Sequence, residues 1–302
     1  MIYLKLKGNL GNQLFMYAFA RTLQLERGLD EIIVIDDIHI HERRFNDYIK
    51  EYDVSNVEYI HDKDFIPKSI TIQRMLNKLY YMTIEKQGYV KKYEYEKKYK
   101  KIFEKLGYIC CQNGYLDFGV PKAKNLYLEG YFQSEKYFSK YREVILREIC
   151  LDGDERLENY PGIEDIKKRN SVCITAKVDE TVGNQLYEVY GRDYFEKALE
   201  YIIQRVDNPL FFVCSDNTDY IMEHYIDGSK YEVIFQDMSI PTNVTLAAMS
   251  KCKHFIVGTS SYSWWAQYLG QNEDKIVVAP SRWVGVDMPV DIFQDNWKLI
   301  EV

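Results

Sequence analysis

MIYLKLKGNLGNQLFMYAFARTLQLERGLDEIIVI (residues 1–35) is the stretch that sets the fold. Ile2 to Leu6 is a short run suited to a β-strand, and it stops at Gly8-Asn9-Leu10-Gly11-Asn12. Leu14, Phe15, Ala18, Leu23 and Leu25 then recur on roughly one helical face, which closes near Gly28. Ile32 to Ile35 is the next strand. Strand, glycine turn, helix, strand is a βαβ opening.

Outward from there, residues 37 to about 120 are less regular, and Leu126 to Phe132 reads as a strand. Ser134 to Ile149 reads as a helix capped by Ser134. Apolar runs at Val172–Ile174, Leu210–Cys214, Glu232–Phe235, His254–Val257 and Lys275–Ala279 alternate with helical patterns at 191–206, 217–226, 243–252 and 261–270. Such alternation predicts parallel sheets covered on both faces. A polar stretch at 151–170, with Gly153, Pro161 and Gly162, marks a boundary. The expected architecture is α/β: two Rossmann-like lobes facing each other across a cleft, residues 1–160 and 161–302.

A chain of 302 residues, 46% hydrophobic and 28% charged, can bury a large core without a disulfide or metal staple. Its net charge of −7 disfavours a general nucleic-acid binder. Six cysteines with no C-x-x-C pair fit a reducing cytoplasm, and Cys173 and Cys214 lie in apolar runs expected in the core. The first residues do not read as a signal peptide, and no run approaches 18 apolar residues. The stretch from Lys91 to Lys105 holds seven Lys against three Glu. It reads either as a solvated helix face or as a surface for acidic lipid headgroups on the inner side of a membrane or for an anionic glycan carrier.

Four places could carry chemistry. In Gly8-Asn9-Leu10-Gly11-Asn12-Gln13, the glycines permit close backbone approach, the helix start favours an anion, and Asn12 and Gln13 offer amides. Ser215-Asp216 ends a strand, where open α/β sheets bind ligands; Asp216 would accept from a base or ribose, or cap the next helix. Gly258-Thr259-Ser260-Ser261-Tyr262-Ser263-Trp264-Trp265 follows a strand and opens a helix, so Ser260, Ser261 and Ser263 form a candidate phosphate cradle. Of the adjacent Trp264 and Trp265, one is expected in the core and one toward the ligand. Lys177 closes a strand, where a cation could neutralise a leaving pyrophosphate. Asp152-Gly153-Asp154 reads as a loop rather than a metal-binding D-x-D, and the five histidines show no zinc spacing, so no metal site is expected.

Three segments together resemble the bacterial α-1,2-fucosyltransferase family, glycosyltransferase family 11. They are Gly8-Asn9-Leu10-Gly11-Asn12-Gln13-Leu14-Phe15 with Tyr17-Ala18, then Glu129 to Phe138 (EGYFQSEKYF), then Ser260 to Trp265 followed by Lys275–Pro280 and Trp283. The resemblance implies a GT-B type fold and an inverting, metal-independent transfer. The donor would be a nucleotide sugar, GDP-fucose foremost, held by the second lobe. The acceptor would be a glycan or lipid-linked glycan on the first. It further implies Asn12 and Lys177 as catalytic residues, with Gly8, Gly11, Gln13, Ser215, Asp216, Ser260, Ser261, Ser263 and Trp264 on the donor.

One segment departs from the family. Its H-x-R-R-x-D-Y pattern falls on Thr175-Ala176-Lys177-Val178-Asp179-Glu180, which leaves one lysine in place of two arginines. Lysine cannot reproduce the bidentate guanidinium fork. Another nucleotide sugar, or binding without turnover, therefore stays open. A Rossmann oxidoreductase is disfavoured because the first turn reads G-N-L-G-N-Q, not G-x-G-x-x-G.

Overall fold

The computed structural model describes residues 1–28, 30–54, 56–61, 67–179 and 182–302. They form two compact units, Met1–Ile149 with Asp287–Ile292, and Cys150–Val286 with Phe293–Val302.

The first unit contains β1 (Ile2–Lys5), α1 (Leu10–Arg27), β2 (Ile33–Asp36), α2 (Ile38–Glu42), β3 (Val57–Ile60), α3 (Thr71–Thr83), α4 (Tyr89–Lys105), β4 (Tyr108–Cys111), β5 (Leu126–Gly130) and α5 (Arg142–Ile149). All strand pairs are parallel, in the order β3-β2-β1-β5-β4. The helix read from Leu14 to Leu25 runs to Arg27, where Gly28 turns the chain at φ 121°. That backbone suits glycine, which has no Cβ to clash. Helix α1 is buried on nearly every side from Leu10 to Gln24. Its Arg21 meets Glu148 of α5 through Nε at 2.9 Å and Nη2 at 2.6 Å, so two buried charges satisfy each other. Tyr3, Val34, Tyr108 and Tyr127 of the sheet pack with Ile70, Tyr80 and Phe103, which brings α3 and α4 over that face.

The second unit contains α6 (Glu155–Glu158), α7 (Ile163–Lys168), β6 (Ser171–Ala176), α8 (Arg192–Ile203), β7 (Leu210–Ser215), α9 (Thr218–His224), β8 (Val233–Phe235), α10 (Thr242–Ser250), β9 (His254–Ile256), α11 (Ser261–Leu269), β10 (Val277–Pro280) and β11 (Lys298–Ile300). Its sheet is again all parallel, β11-β10-β9-β6-β7-β8. Val172, Ile174, Phe211, Val213, Ile256 and Val278 pack with Tyr194, Phe195 and Ala198 of α8 in one apolar cluster.

Residues 150–160 fall in the second unit because Leu157 and Tyr160 are buried there, Tyr160 with its ring edge-on to Phe212 at 5.9 Å. Asp287–Ile292 returns to the first unit, where Asp291 accepts from Ser134 Oγ at 2.9 Å and Lys136 Nζ at 2.6 Å. The helix expected over 134–149 is shorter. Phe138 leaves helical geometry at φ −143°, so two 3-10 turns precede α5. Ser134 does cap the first of them, its Oγ accepting from Lys136 N–H at 3.2 Å.

Both sheets start near their middle, grow to one edge, and then resume on the other side. The order therefore reverses between β1 and β5 in the first unit, and between β6 and β9 in the second. Open parallel sheets bind ligands at the carboxyl ends of strands flanking such a reversal, since the connections there diverge and leave a crevice.

Candidate donor site and first-unit polar cluster

In the second unit, Thr175, Ala176, Lys177, Cys214, Ser215, Asp216, Gln236, Asp237, Met238, Ile240, Thr242, Thr245, Ser260, Tyr262 and Ser263 line a cavity of about 220 Å³. Lys177, Ser215, Asp216, Ser260 and Ser263, which the sequence singled out in three separate stretches, thus share one site. It lies at the carboxyl ends of β6 and β7 and at the start of α11, beside the point where strand order reverses.

Two helices begin at this cavity. Ser260 caps α11, its Oγ accepting from Ser263 N–H at 3.0 Å and lying 2.8 Å from Ser263 Oγ. Thr242 starts α10 after Pro241, and Tyr262 Oη donates to Thr242 O at 2.9 Å, tying the two helix starts together. Unpaired N–H groups and the aligned peptide dipoles at helix N-termini attract anions. With Lys177 on the same wall, the site can hold a diphosphate.

Asp216 has a role not foreseen. It does not cap α9; Asn217 does, accepting from Tyr220 N–H at 3.0 Å. Asp216 instead accepts the N–H of Val178 at 2.7 Å and of Asp179 at 3.3 Å, fixing the turn that carries Lys177. Asn217 Nδ2 adds a bond to Asp179 Oδ1 at 3.2 Å. Thr175, at the family histidine position, accepts Gly258 N–H at 3.1 Å and so joins β6 to the turn after β9. A Cβ on Gly258 would lie 2.5 Å from Tyr190 Oη and 2.8 Å from Thr175 O, so no larger residue fits without a shift. Val178, at the second arginine position, is buried in the apolar core and does not line the cavity. Glu180 lies outside the described residues.

Two expectations for this unit are corrected. Trp264 and Trp265 are both fully buried, with Trp264 stacked on Tyr268 at 4.7 Å, so neither lines the cavity. Adjacent helical residues point about 100° apart, but α11 is buried at every position from Ser263 to Leu269, so both rings are covered. Ser261 is the first residue of α11 and is half-exposed, but it does not line the cavity. Gln236, Asp237, Met238, Thr242 and Thr245 do line it. Gln236 and Asp237 follow a strand, but 236–242 carries no glycine turn to flag the site.

In the first unit, Gly8 takes φ 69° and passes close to Asn12, whose Nδ2 would lie 2.6 Å from a Cβ there. Asn12 is half-exposed and its Oδ1 accepts from Gln133 Nε2 at 2.7 Å, joining the first and central motifs. Gly11 is buried inside the first turn of α1. Gln13 is corrected from ligand contact to structural tie. It is fully buried, Nε2 donates to Gly8 O and Asn46 O, each at 2.8 Å, and Oε1 accepts from Tyr48 N–H at 2.9 Å.

The central motif supplies a polar cluster the sequence did not single out. Glu129, fully buried at the end of β5, accepts from Lys7 Nζ at 2.6 Å, Tyr81 Oη at 2.9 Å and Gln112 Nε2 at 3.2 Å, and pairs with Lys5 at 3.0 Å. Burial alone would push its carboxyl up, but Lys7 and Lys5 more than reverse this and hold it down at about 2. Burial lowers Lys7 in turn, and Glu129 and Tyr131 outweigh that, leaving it raised.

Lys5 also borders a cavity of about 470 Å³, together with Asp36, His39, Glu42, Arg74, Lys78 and Tyr127 among others. Desolvation raises Asp36 and lowers His39, so both lean toward their neutral forms there. Beside it, Asp37 Oδ2 meets His61 Nδ1 at 2.6 Å and His41 Nε2 at 3.0 Å, a set of donors of the kind that can hold a metal ion. Sequence spacing hid this group because His61 comes from the end of β3. Asp152 and Asp154 do not pair on a ligand: Asp152 binds Lys251, and Asp154 caps α6 through Arg156 N–H at 2.8 Å.

Comparison with known proteins identifies the chain's relatives. The chain is 26% identical to the O-antigen biosynthesis glycosyltransferase WbnK of Escherichia coli, covering 98% of this chain and 99% of that one. It is 24% identical to an alpha-1,2-colitosyltransferase of Escherichia coli, over 94% and 92% of the two chains. Among solved structures it resembles fucosyltransferase NodZ from Bradyrhizobium, with a TM-score of 0.51 and 13% identity over 88% of this chain and 91% of that one. That likeness is one of fold, the two-lobed α/β arrangement of GT-B type. The model of glycosyl transferase family 11 matches residues 1–301, and the chain belongs to that family of glycosyltransferases.

Proposed function

We propose that the chain transfers fucose, or a closely related deoxyhexose, from a GDP-linked donor to a galactoside in a surface glycan. Transfer inverts the anomeric carbon and needs no metal. The observation that carries this reading is the convergence of Lys177 with the starts of α10 and α11 on one cavity. As the glycosidic bond breaks, negative charge builds on the departing diphosphate, and pre-oriented N–H groups plus a cation stabilise it in place of a metal. The name of the colitosyltransferase relative supports a 6-deoxy sugar, which colitose and fucose share. On this reading the acceptor, free or lipid-linked, binds the first unit near the Lys5–Asp36–Arg74 cavity. The enzyme then works in the cytoplasm at the inner membrane face. No helix among the described residues is long and apolar enough to cross a membrane, and all six cysteines are free.

A thermal-shift screen of GDP-, UDP-, dTDP- and CMP-sugars tests the donor. GDP and GDP-fucose or GDP-colitose should raise the melting temperature, and a rise with UDP or dTDP sugars alone would overturn the GDP assignment. Transfer should persist in excess chelator. Complete loss, restored by zinc or manganese, would refute the metal-free mechanism and direct attention to Asp37, His41 and His61.

A further inference from the structure

The α3–α4 pair carries an outward surface beside the cavity proposed for the acceptor, which Arg74, Met75 and Lys78 of α3 line. On α3, Ile72, Met75, Leu79 and Met82 fall at i, i+3, i+7 and i+10, and so on one face. They are 57%, 66%, 50% and 71% exposed. The opposite face buries Gln73 and Tyr80. An amphipathic helix in a globular unit normally turns its apolar stripe inward, yet α3 also keeps one outward.

On α4 the buried side is Lys92, Glu96 and Phe103, and the outward side carries Lys91, Lys97, Lys98, Lys101 and Lys105 with Glu94 and Ile102. Tyr80 Oη donates to Glu96 Oε1 at 2.6 Å, so the helices are in direct contact. Both cover the same sheet face, through Tyr80 and Phe103. Their outer sides therefore point away from that face together, an apolar strip beside a cationic one.

Charge is concentrated here. Residues 68–105 hold eleven Lys or Arg against four Glu and no Asp, whereas the whole chain holds 39 basic and 46 acidic residues. Exposed apolar patches mark protein or membrane contacts, and the occupant here must meet a cationic strip as well. Anionic bilayers do: apolar side chains enter the acyl boundary while lysines meet headgroup phosphates.

We infer that α3 and α4 dock the protein on an anionic lipid surface. Ile72, Leu79 and Met82 insert, and the α4 lysines supply attraction. The inference goes beyond the lysine-rich stretch alone, because the anchor is the α3 stripe. It stands whether or not the proposed donor is right.

The test is co-sedimentation with vesicles of phosphatidylcholine, with and without phosphatidylglycerol. The protein should pellet with the anionic vesicles, less so at high salt, and poorly with phosphatidylcholine alone. The triple variant Ile72→Ser, Leu79→Ser, Met82→Ser, all at exposed positions, should bind at least tenfold more weakly. So should Lys97→Glu, Lys98→Glu, Lys101→Glu. Both should keep the wild-type melting temperature and transfer to a soluble acceptor. No pelleting of the wild type with anionic vesicles would overturn the inference, as would unchanged binding by the serine variant. In sedimentation velocity, a wild-type dimer that the serine variant dissociates would assign the stripe to a second copy of this chain instead.

Discussion

The Asp216 carboxylate accepts the Val178 backbone N–H at 2.7 Å, and through that bond the end of β7 fixes the turn after β6 that bears Lys177. An acidic residue beside a cavity that is to hold a diphosphate would repel it, unless its charge is committed elsewhere. Here it is committed to the N–H groups of Val178 and Asp179. Asp216→Ala should free the turn. Charge-assisted bonds of this kind are worth about 1.5–3 kcal/mol, so the donor KM should rise roughly 10- to 100-fold. Asp216→Asn keeps one acceptor oxygen and should fall between. Steady-state kinetics check this, and a donor KM unchanged in Asp216→Ala would remove the positioning role.

Gln13 is expected to matter for stability rather than for the donor. Gln13→Leu leaves Gly8 O, Asn46 O and Tyr48 N–H without their side-chain partner. Unmade buried bonds cost about 1–3 kcal/mol each when no water replaces them, so the melting temperature should drop by several degrees. Donor affinity, measured by calorimetry well below that transition, should stay within about twofold. Weaker donor binding with an unchanged melting point would restore Gln13 to the site.

These two residues show what was legible in the sequence. Strand-turn-helix order placed Gly8, Lys177, Ser215, Asp216 and Ser260 at strand ends, because apolar runs that stop at polar or glycine residues mark where strands end. It could not tell a side chain that faces a ligand from one that ties the turn. Gln13, Thr175 and Asp216 all turn out to bond backbone groups of turns and loops, and most of those partners come within reach only once the fold forms. Trp264 and Trp265 were misjudged for a related reason: a helix covered on two sides buries adjacent residues, and one-sided periodicity does not foresee it. The Glu129 cluster and the Asp37 group gather residues far apart in the chain, so no local spacing announced them.

Glu129 predicts a pH dependence. Its folded value of about 2 lies below the ordinary 4.5, so its contribution to stability is present in full above pH 4.5. That contribution is lost as pH falls from 4.5 toward 2, and amounts to as much as about 3 kcal/mol. Glu129→Gln removes the carboxylate and leaves Lys7 buried beside a neutral amide. The variant should be less stable than wild type at pH 7, and its urea midpoint should change less between pH 5 and pH 3. Equal acid sensitivity in both proteins would show that Glu129 is not the group responsible.

Lys177 is the sharpest test of the chemistry, because the sequence departs from its family there. Val178 is buried in the core, so Lys177 is the cation that this turn presents to the cavity. If it meets the leaving diphosphate, its contact strengthens as charge develops, and its loss falls on kcat more than on KM. A charge-assisted contact in such a site is worth on the order of 2–4 kcal/mol, so Lys177→Ala should slow turnover roughly 30- to 1000-fold. Lys177→Arg should keep activity, and raise it if the donor is GDP-linked, since a guanidinium can hold two phosphate oxygens at once. A pseudoenzyme predicts donor binding without turnover in the wild type, which single-turnover donor hydrolysis separates. If Lys177→Ala retains full kcat at saturating donor, the diphosphate lies elsewhere. Arg192, exposed at the start of α8 and paired with Glu196 at 2.7 Å, is then the next cation to replace.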